Sequence, residues 1–192
     1  MPLAAGSLRA RRSLCRVITL VPPVTLRPQV SADTLGDNAM IEQLKIRSAN
    51  PTDADELLAI RRDAIMALAE EYGRIAAERW ASGAPPDRTA KAIETNSVWV
   101  TECASMVVGW VEISGVTIEG LYVTSAAARR GVGSSLLAHA ERQIRATGAS
   151  VAYLDASPNA EPFYARRGYK RVGAVKANNS IPMSKRLDVS AA

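Results

Sequence analysis

The sequence predicts one α/β domain of the mixed, α+β kind, with a mainly antiparallel sheet flanked by helices. Three β-rich runs, Val98–Cys103, Met106–Ile113 and Val116–Val123, are joined by turns too short for anything but antiparallel hairpins. The third run leads through a glycine turn and an amphipathic stretch to a further strand, Ser150–Asp155, which makes one strand–helix–strand crossover. A length of 192 residues with 47% hydrophobic side chains suits one domain with a sizeable core.

Residues 1–39 stand apart. They have no helical or strand period, are broken by Pro22, Pro23 and Pro28, and carry five arginines against Asp33 and Asp37, so this segment holds most of the net charge of +5. It is expected to be a disordered appendage, or the product of an upstream start with Met40 the true beginning. It also loosely resembles a targeting peptide, with Val30-Ser31-Ala32 imitating a cleavage site. The domain is expected over residues 40–187, with 188–192 as a tail.

Two helical stretches precede the meander. Leu57, Leu58, Ile60, Ile65 and Leu68 mark the first, with Thr52 as its cap and Asp55 three residues on. Tyr72, Ile75, Ala76, Arg79 and Trp80 mark the second, and Gly83-Ala84-Pro85-Pro86 stops it. In the strand that follows the hairpins, Ile118, Leu121 and Val123 are apolar. Leu136, Leu137, Ala140 and Ile144 then recur at helical spacing from Gly131-Val132-Gly133-Ser134 to a stop at Thr147-Gly148.

That glycine turn is the best candidate for chemistry. The first amides of a helix have no intrahelical partner and sit at its positive dipole end, so a phosphate there accepts several hydrogen bonds. Gly131 and Gly133 allow close approach, and Arg129 and Arg130 add guanidinium contacts. A tight turn before a core helix is the plainer reading of the glycines. A dinucleotide-binding unit is another, since Asp155 ends the next strand where a ribose-binding acid would lie, although Leu136 occupies the place of the third glycine.

With these residues the chain resembles the GNAT superfamily of acetyl-CoA-dependent N-acetyltransferases, whose pyrophosphate loop reads Arg/Gln-x-x-Gly-x-Gly/Ala. Here the loop is Ala128-Arg129-Arg130-Gly131-Val132-Gly133, with Ala128 in place of the usual Arg or Gln. Pro162-Phe163-Tyr164-Ala165-Arg166-Arg167-Gly168-Tyr169 resembles the family's C-terminal segment, and Leu44–Arg47 followed by Asn50–Asp55 resembles its first strand entering its first helix.

The resemblance implies a splayed strand pair at the cofactor site and transfer of an acetyl group from acetyl-CoA to an amine. An ammonium with a pKa near about 10 must lose its proton before it attacks. Glu119, on the fourth strand, is the expected base, and Glu112 on the preceding strand is the second candidate. Backbone amides among Leu121, Tyr122 and Val123 would hold the developing oxyanion. Tyr164 would protonate the departing thiolate, its alternative being a packed aromatic beside Phe163. Asn159 is a further expected cofactor contact, with turn chemistry after Ser157-Pro158 as the alternative. The acceptor pocket is expected among the early helices, where Tyr72, Trp80, Glu71 and Glu78 are candidates.

Other classes find little support. There is no basic stripe with interleaved aromatics for nucleic acid, and no run long enough to span a membrane. Cys15 and Cys103 form no pair, His139 is the only histidine, and no metal-ligand spacing occurs, so no metal is expected. A reducing cytoplasm fits this cysteine usage. The acceptor is expected to be a small-molecule or peptide amine, and a homodimer is left open. A non-catalytic CoA-binding regulatory module, motivated by Ala128, is the alternative function.

Overall fold

The computed structural model describes residues 44–187. The expectations for residues 1–39, Met40, Cys15 and the 188–192 tail lie outside the described residues.

Seven strands form one sheet: β1 (Lys45–Ser48), β2 (Ser97–Cys103), β3 (Met106–Ser114), β4 (Thr117–Val123), β5 (Val151–Ala156), β6 (Lys170–Arg171) and β7 (Ile181–Arg186). Their spatial order is β1-β2-β3-β4-β5-β7-β6. Every neighbouring pair is antiparallel except β4–β5. The expected meander is therefore present, and the crossover from β4 to β5 supplies the one parallel contact. The β2–β3 turn is Ala104-Ser105 with φ of 49° and 65°, the left-handed pair that a two-residue hairpin requires.

Helices cover both faces. On one side α1 (Ala54–Met66), α2 (Ala69–Tyr72), α3 (Arg74–Ser82) and α4 (Arg88–Thr95) contribute Leu57, Ile60, Ala64, Ile65, Ala81 and Ala92 to a core with Val100, Trp110 and Tyr122. On the other, α5 (Val132–Ala146) and α6 (Glu161–Ala165) bury Val132, Leu136, Leu137, Ala140, Ile144, Phe163 and Tyr164 against β3, β4 and β5. Burial at positions 132, 136, 140 and 144 of α5 follows the four-residue recurrence of one helix face. Among the described residues no helix is long and apolar enough to cross a membrane.

The structure departs from the sequence reading at three places. The entry to α1 is not capped by Thr52. A 3₁₀ turn, Pro51–Asp53, precedes the helix, and the Asp53 carboxylate accepts the Asn50 amide at 2.6 Å. The second helical stretch is two helices rather than one, because Gly73 adopts φ +82° between them. Finally, α4 follows the Gly83–Pro86 break, in a stretch for which no element was expected.

Asp53 also joins β1 to α1. Arg47 donates to its two oxygens at 2.7 and 3.0 Å and to Glu102 on β2 at 2.7 Å. The Arg47 guanidinium holds the Asp53 carboxyl below its ordinary 3.8. A depressed folded pKa means that the pair stabilises the fold above that ordinary value and loses its effect as pH falls through the lowered one. Asp53→Asn is expected to reduce Tm at pH 7, with the gap to wild type closing toward pH 3. Scans across that range check this, and a gap independent of pH would contradict it.

Candidate active site

β4 and β5 pair only at Thr117↔Tyr153 and Ile118↔Leu154, after which they diverge. β4 remains paired to β3 through Val123. The Thr124 N–H donates to the Val108 carbonyl at 2.9 Å, and alternation along a strand then turns the amides of Leu121 and Val123 away from β3, into the opening. Tyr122 presents its backbone to β3 instead. Its side chain packs under the opposite helices, with its ring 4.9 Å from Trp110 and the Arg61 guanidinium 5.9 Å from its centroid. Of the three expected amide donors, Leu121 and Val123 therefore have the required direction and Tyr122 does not.

Glu119 stands at an irregularity in β4. Ile113 pairs with Ile118 and Glu112 with Gly120, so Glu119 has no opposite residue on β3. It is the extra residue of a bulge, a feature that re-aims a side chain beside a site. Glu112 has a different setting. It is fully buried, and its oxygens accept from Arg88 on α4 and from Asn96. A carboxylate so engaged anchors α4 to the sheet, and removing it would leave the half-buried Arg88 without its counter-charge.

Beyond β4 the chain passes through a short 3₁₀ turn, Ser125–Ala127, held by Asp63 of α1. The Asp63 carboxylate accepts the Ser125 amide at 2.6 Å and its hydroxyl at 3.1 Å. Arg129 and Gly131 then take φ of +66° and +83°, which reverses the chain into α5. The first helical bond is made by the Ser135 N–H to the Gly131 carbonyl at 3.0 Å. The amides of Val132, Gly133 and Ser134 thus form the open end of the helix. Arg129 and Arg130 are exposed beside it, and Ala128 is half-buried.

Sequence reasoning did not single out Arg167. Its guanidinium lies 3.7 Å from the Phe163 ring centroid, donates to the Phe163 carbonyl at 2.9 Å and donates to the Ser134 hydroxyl. A cation is thereby held at the N-terminus of α5 from the C-terminal segment. Burial, and next the like charge of Arg166, lower its pKa; an anion alongside would oppose both effects.

Tyr164 is fully buried, with ring centroids 5.0 Å from Phe163 and 5.7 Å from Tyr169. Its hydroxyl has no hydrogen-bond partner among the described residues. Burial raises its pKa well above the ordinary 10, so the phenol stays protonated through the physiological range. His139 packs its ring 4.3 Å from Trp99 on β2.

A cavity of about 360 Å³ opens beside the C-terminal end of β5. Tyr72, Ala76 and Trp80 form one wall, and Ser157, Pro158, Asn178 and Asn179 form the other. Asn159 does not line it but secures it: the Tyr72 hydroxyl donates to the Asn159 side chain at 3.0 Å and accepts the Asn159 amide at 3.2 Å. Of the four expected acceptor contacts, Tyr72 and Trp80 are present in the wall. Glu71 and Glu78 are exposed and absent from it, as are Glu119, Glu112 and Tyr164. Among the described residues no group of three or more His, Cys, Asp or Glu could hold a metal.

The family description "Acetyltransferase (GNAT) domain" matches residues 68–187. No curated protein sequence matches the chain significantly. Among solved structures, a GCN5-related N-acetyltransferase from Rhodopseudomonas palustris is 28% identical, with a TM-score of 0.66 over 74% of this chain and 94% of that one. PaiA N-acetyltransferase from Thermoplasma acidophilum, in complex with coenzyme A, is 18% identical, with a TM-score of 0.65 over 74% and 98% of the two chains. YncA from Salmonella typhimurium, with its cofactor acetyl-CoA, is 20% identical, with a TM-score of 0.57 over 78% and 97%. The last two are likenesses of fold.

Proposed function

The chain belongs to the GNAT acetyltransferase family, and from that premise we propose that it transfers the acetyl group of acetyl-CoA to a primary amine by direct attack. The observation that carries this reading is the divergence of β4 from β5 after Ile118↔Leu154, next to a helix whose first amides are open. An extended thioester arm suits the gap between two strands, and its pyrophosphate suits a helix N-terminus. Bound acetyl-CoA would supply an acyl group activated as a thioester.

The chain's own residues have separable tasks in this reading. Gly131, Val132, Gly133 and Ser134 hold phosphate oxygens through backbone amides, with Arg129 and Arg130 on the exposed side. Arg167 reaches the same end of α5 and supplies the guanidinium that Ala128 does not. The Leu121 and Val123 amides face the position of the developing oxyanion. The cavity walled by Tyr72 and Trp80 takes the acceptor, and Glu119, whose carboxylate does not line it, accepts the amine proton through water. Tyr164 donates a proton to the thiolate, whose parent thiol has a pKa of about 8.5. Asn159 positions Tyr72 and borders the cofactor. Such a reaction is suited to the cytoplasm, where acetyl-CoA is supplied.

Thermal unfolding of the full chain with acetyl-CoA, CoA and NAD tests the site. A ligand that prefers the native state adds about 2.7 kcal/mol at a hundredfold excess over Kd. Acetyl-CoA and CoA are expected to raise Tm and NAD is not; a shift with NAD alone would favour the dinucleotide reading. For the base, Glu119→Gln is expected to remove the acidic limb of the kcat/KM–pH profile. A limb that stays in place would transfer the role to another group or to solvent.

A further inference from the structure

The acceptor cavity has a chemical character beyond its position. None of its lining side chains is Asp, Glu, Lys, Arg or His. On one side the Tyr72 and Trp80 rings meet edge to face, with centroids 6.2 Å apart and planes at 80°. On the other, Ser157, Pro158, Asn178 and Asn179 add neutral groups. Nearby, Lys176, between β6 and β7, pairs with Asp155 of β5 at 2.5 Å.

The wall that carries both aromatics is held by hydrogen bonds before any ligand arrives. Tyr72 is tied to Asn159 through its hydroxyl. Trp80 lies in the last turn of α3, whose carbonyls are held by the buried Arg61: Nη1 donates to the Ala81 carbonyl at 3.0 Å and Nη2 to the Trp80 carbonyl at 3.4 Å. Asn178 is likewise held, since its Oδ1 accepts the Ser180 amide at 3.1 Å and the Ser180 hydroxyl at 2.7 Å. A rigid, neutral, aromatic-sided slot offers stacking area at little ordering cost. A carboxylate or a second ammonium placed in it would lose hydration without a counter-charge.

We infer that the acceptor is a small monoamine whose body is uncharged and aryl or alkyl, seated against the wall that Tyr72 and Trp80 form together, rather than an amino acid or a polyamine. This rests on the acetyl-transfer reading above. The cavity volume of about 360 Å³ is near the lower end of small-molecule pockets, roughly 300–1,000 Å³. The Ser157 side of the cavity follows directly on β5, one arm of the strand opening, and the amino nitrogen is directed there. The bond formed is nitrogen to acyl carbon, the bond broken is carbon to sulfur, and the amine proton leaves as the thiol is regenerated.

The test is thiol release from saturating acetyl-CoA with 2-phenylethylamine, phenylalanine and spermidine as acceptors. The expected result is a kcat/KM for 2-phenylethylamine at least about tenfold above the other two, the effect of roughly 1.4 kcal/mol of unmatched charge. Trp80→Ala should raise its KM about tenfold with the KM for acetyl-CoA unchanged. Because Trp80 is half-buried, Ala76→Trp serves as the second variant: Ala76 is exposed on α3, and a large side chain there fills the slot without removing packing. Equal or faster turnover of spermidine or phenylalanine, or an unchanged KM in both variants, would overturn the inference and leave the acetyl-transfer reading intact. If acetyl-CoA raised Tm but no amine released thiol, the transfer reading itself would fall, and the inference with it.

Discussion

Tyr164→Phe is expected to lower kcat by about 10²- to 10⁴-fold, the usual contribution of a positioned general acid, with little change in the KM for acetyl-CoA. The hydroxyl is buried without a protein partner, and leaving such a group unsatisfied costs about 1–3 kcal/mol. Its removal should therefore leave Tm unchanged or raised, which separates loss of chemistry from loss of fold. The pH profile adds a second check. Burial holds this phenol well above the ordinary 10, so no falling limb due to Tyr164 should appear up to about pH 10. A packed aromatic with no chemical role would show an unchanged kcat in the Phe variant.

Arg167→Ala is expected to raise the KM and Kd for acetyl-CoA about 10- to 150-fold, from a charge-assisted contact of about 1.5–3 kcal/mol. The guanidinium is fixed by stacking on Phe163 and by two donated bonds, to the Phe163 carbonyl and the Ser134 hydroxyl. Lysine cannot reproduce that planar fork, so Arg167→Lys should recover only part of the loss. The KM for the amine should not move. Ala128→Arg, which restores the residue usual at the start of this loop, should recover affinity in the Arg167→Ala background. If Arg167→Ala altered Tm without ligand but not acetyl-CoA affinity, the residue would be a structural clasp between α6 and α5 only.

The fold was legible in the sequence where pattern and punctuation agreed. Short turns between β-rich runs required the β2–β3–β4 meander, and the apolar recurrence from Val132 to Ile144 marked α5 and its buried face. Gly131 was readable as part of a glycine turn opening a helix, and the structure adds that it takes φ +83° there. The Tyr72–Trp80 stretch was harder. Its apolar pattern continues through Gly73, and only the backbone reveals that the residue breaks it. α4 was passed over because the two residues that it buries fully, Thr89 and Ala92, are small and do not stand out as a core face.

Part of the site was hidden for a different reason. The Glu119 bulge depends on a slip of register within the β3–β4 hairpin, which the alternation of either run alone does not encode. The separation of Glu112 from Glu119 is similar, since Glu112 is engaged by Arg88 and Asn96, far from it in sequence. Arg167 could have been suspected as one of two arginines between Tyr164 and Gly168. Its approach to Ser134, however, joins segments that only the packing of α6 on α5 brings together. The absence of an arginine at position 128 was the one available hint of a cation supplied from elsewhere.

The measurement that tests the central claim most directly is a stoichiometry: free thiol from acetyl-CoA and N-acetylated 2-phenylethylamine, by mass spectrometry, over several turnovers of the full chain. The account predicts equal amounts of the two products, both dependent on the amine and both nearly abolished in Tyr164→Phe. Acetyl-CoA binding without acetylation of any amine, or thiol release independent of amine, would contradict it and favour a CoA-binding regulatory module.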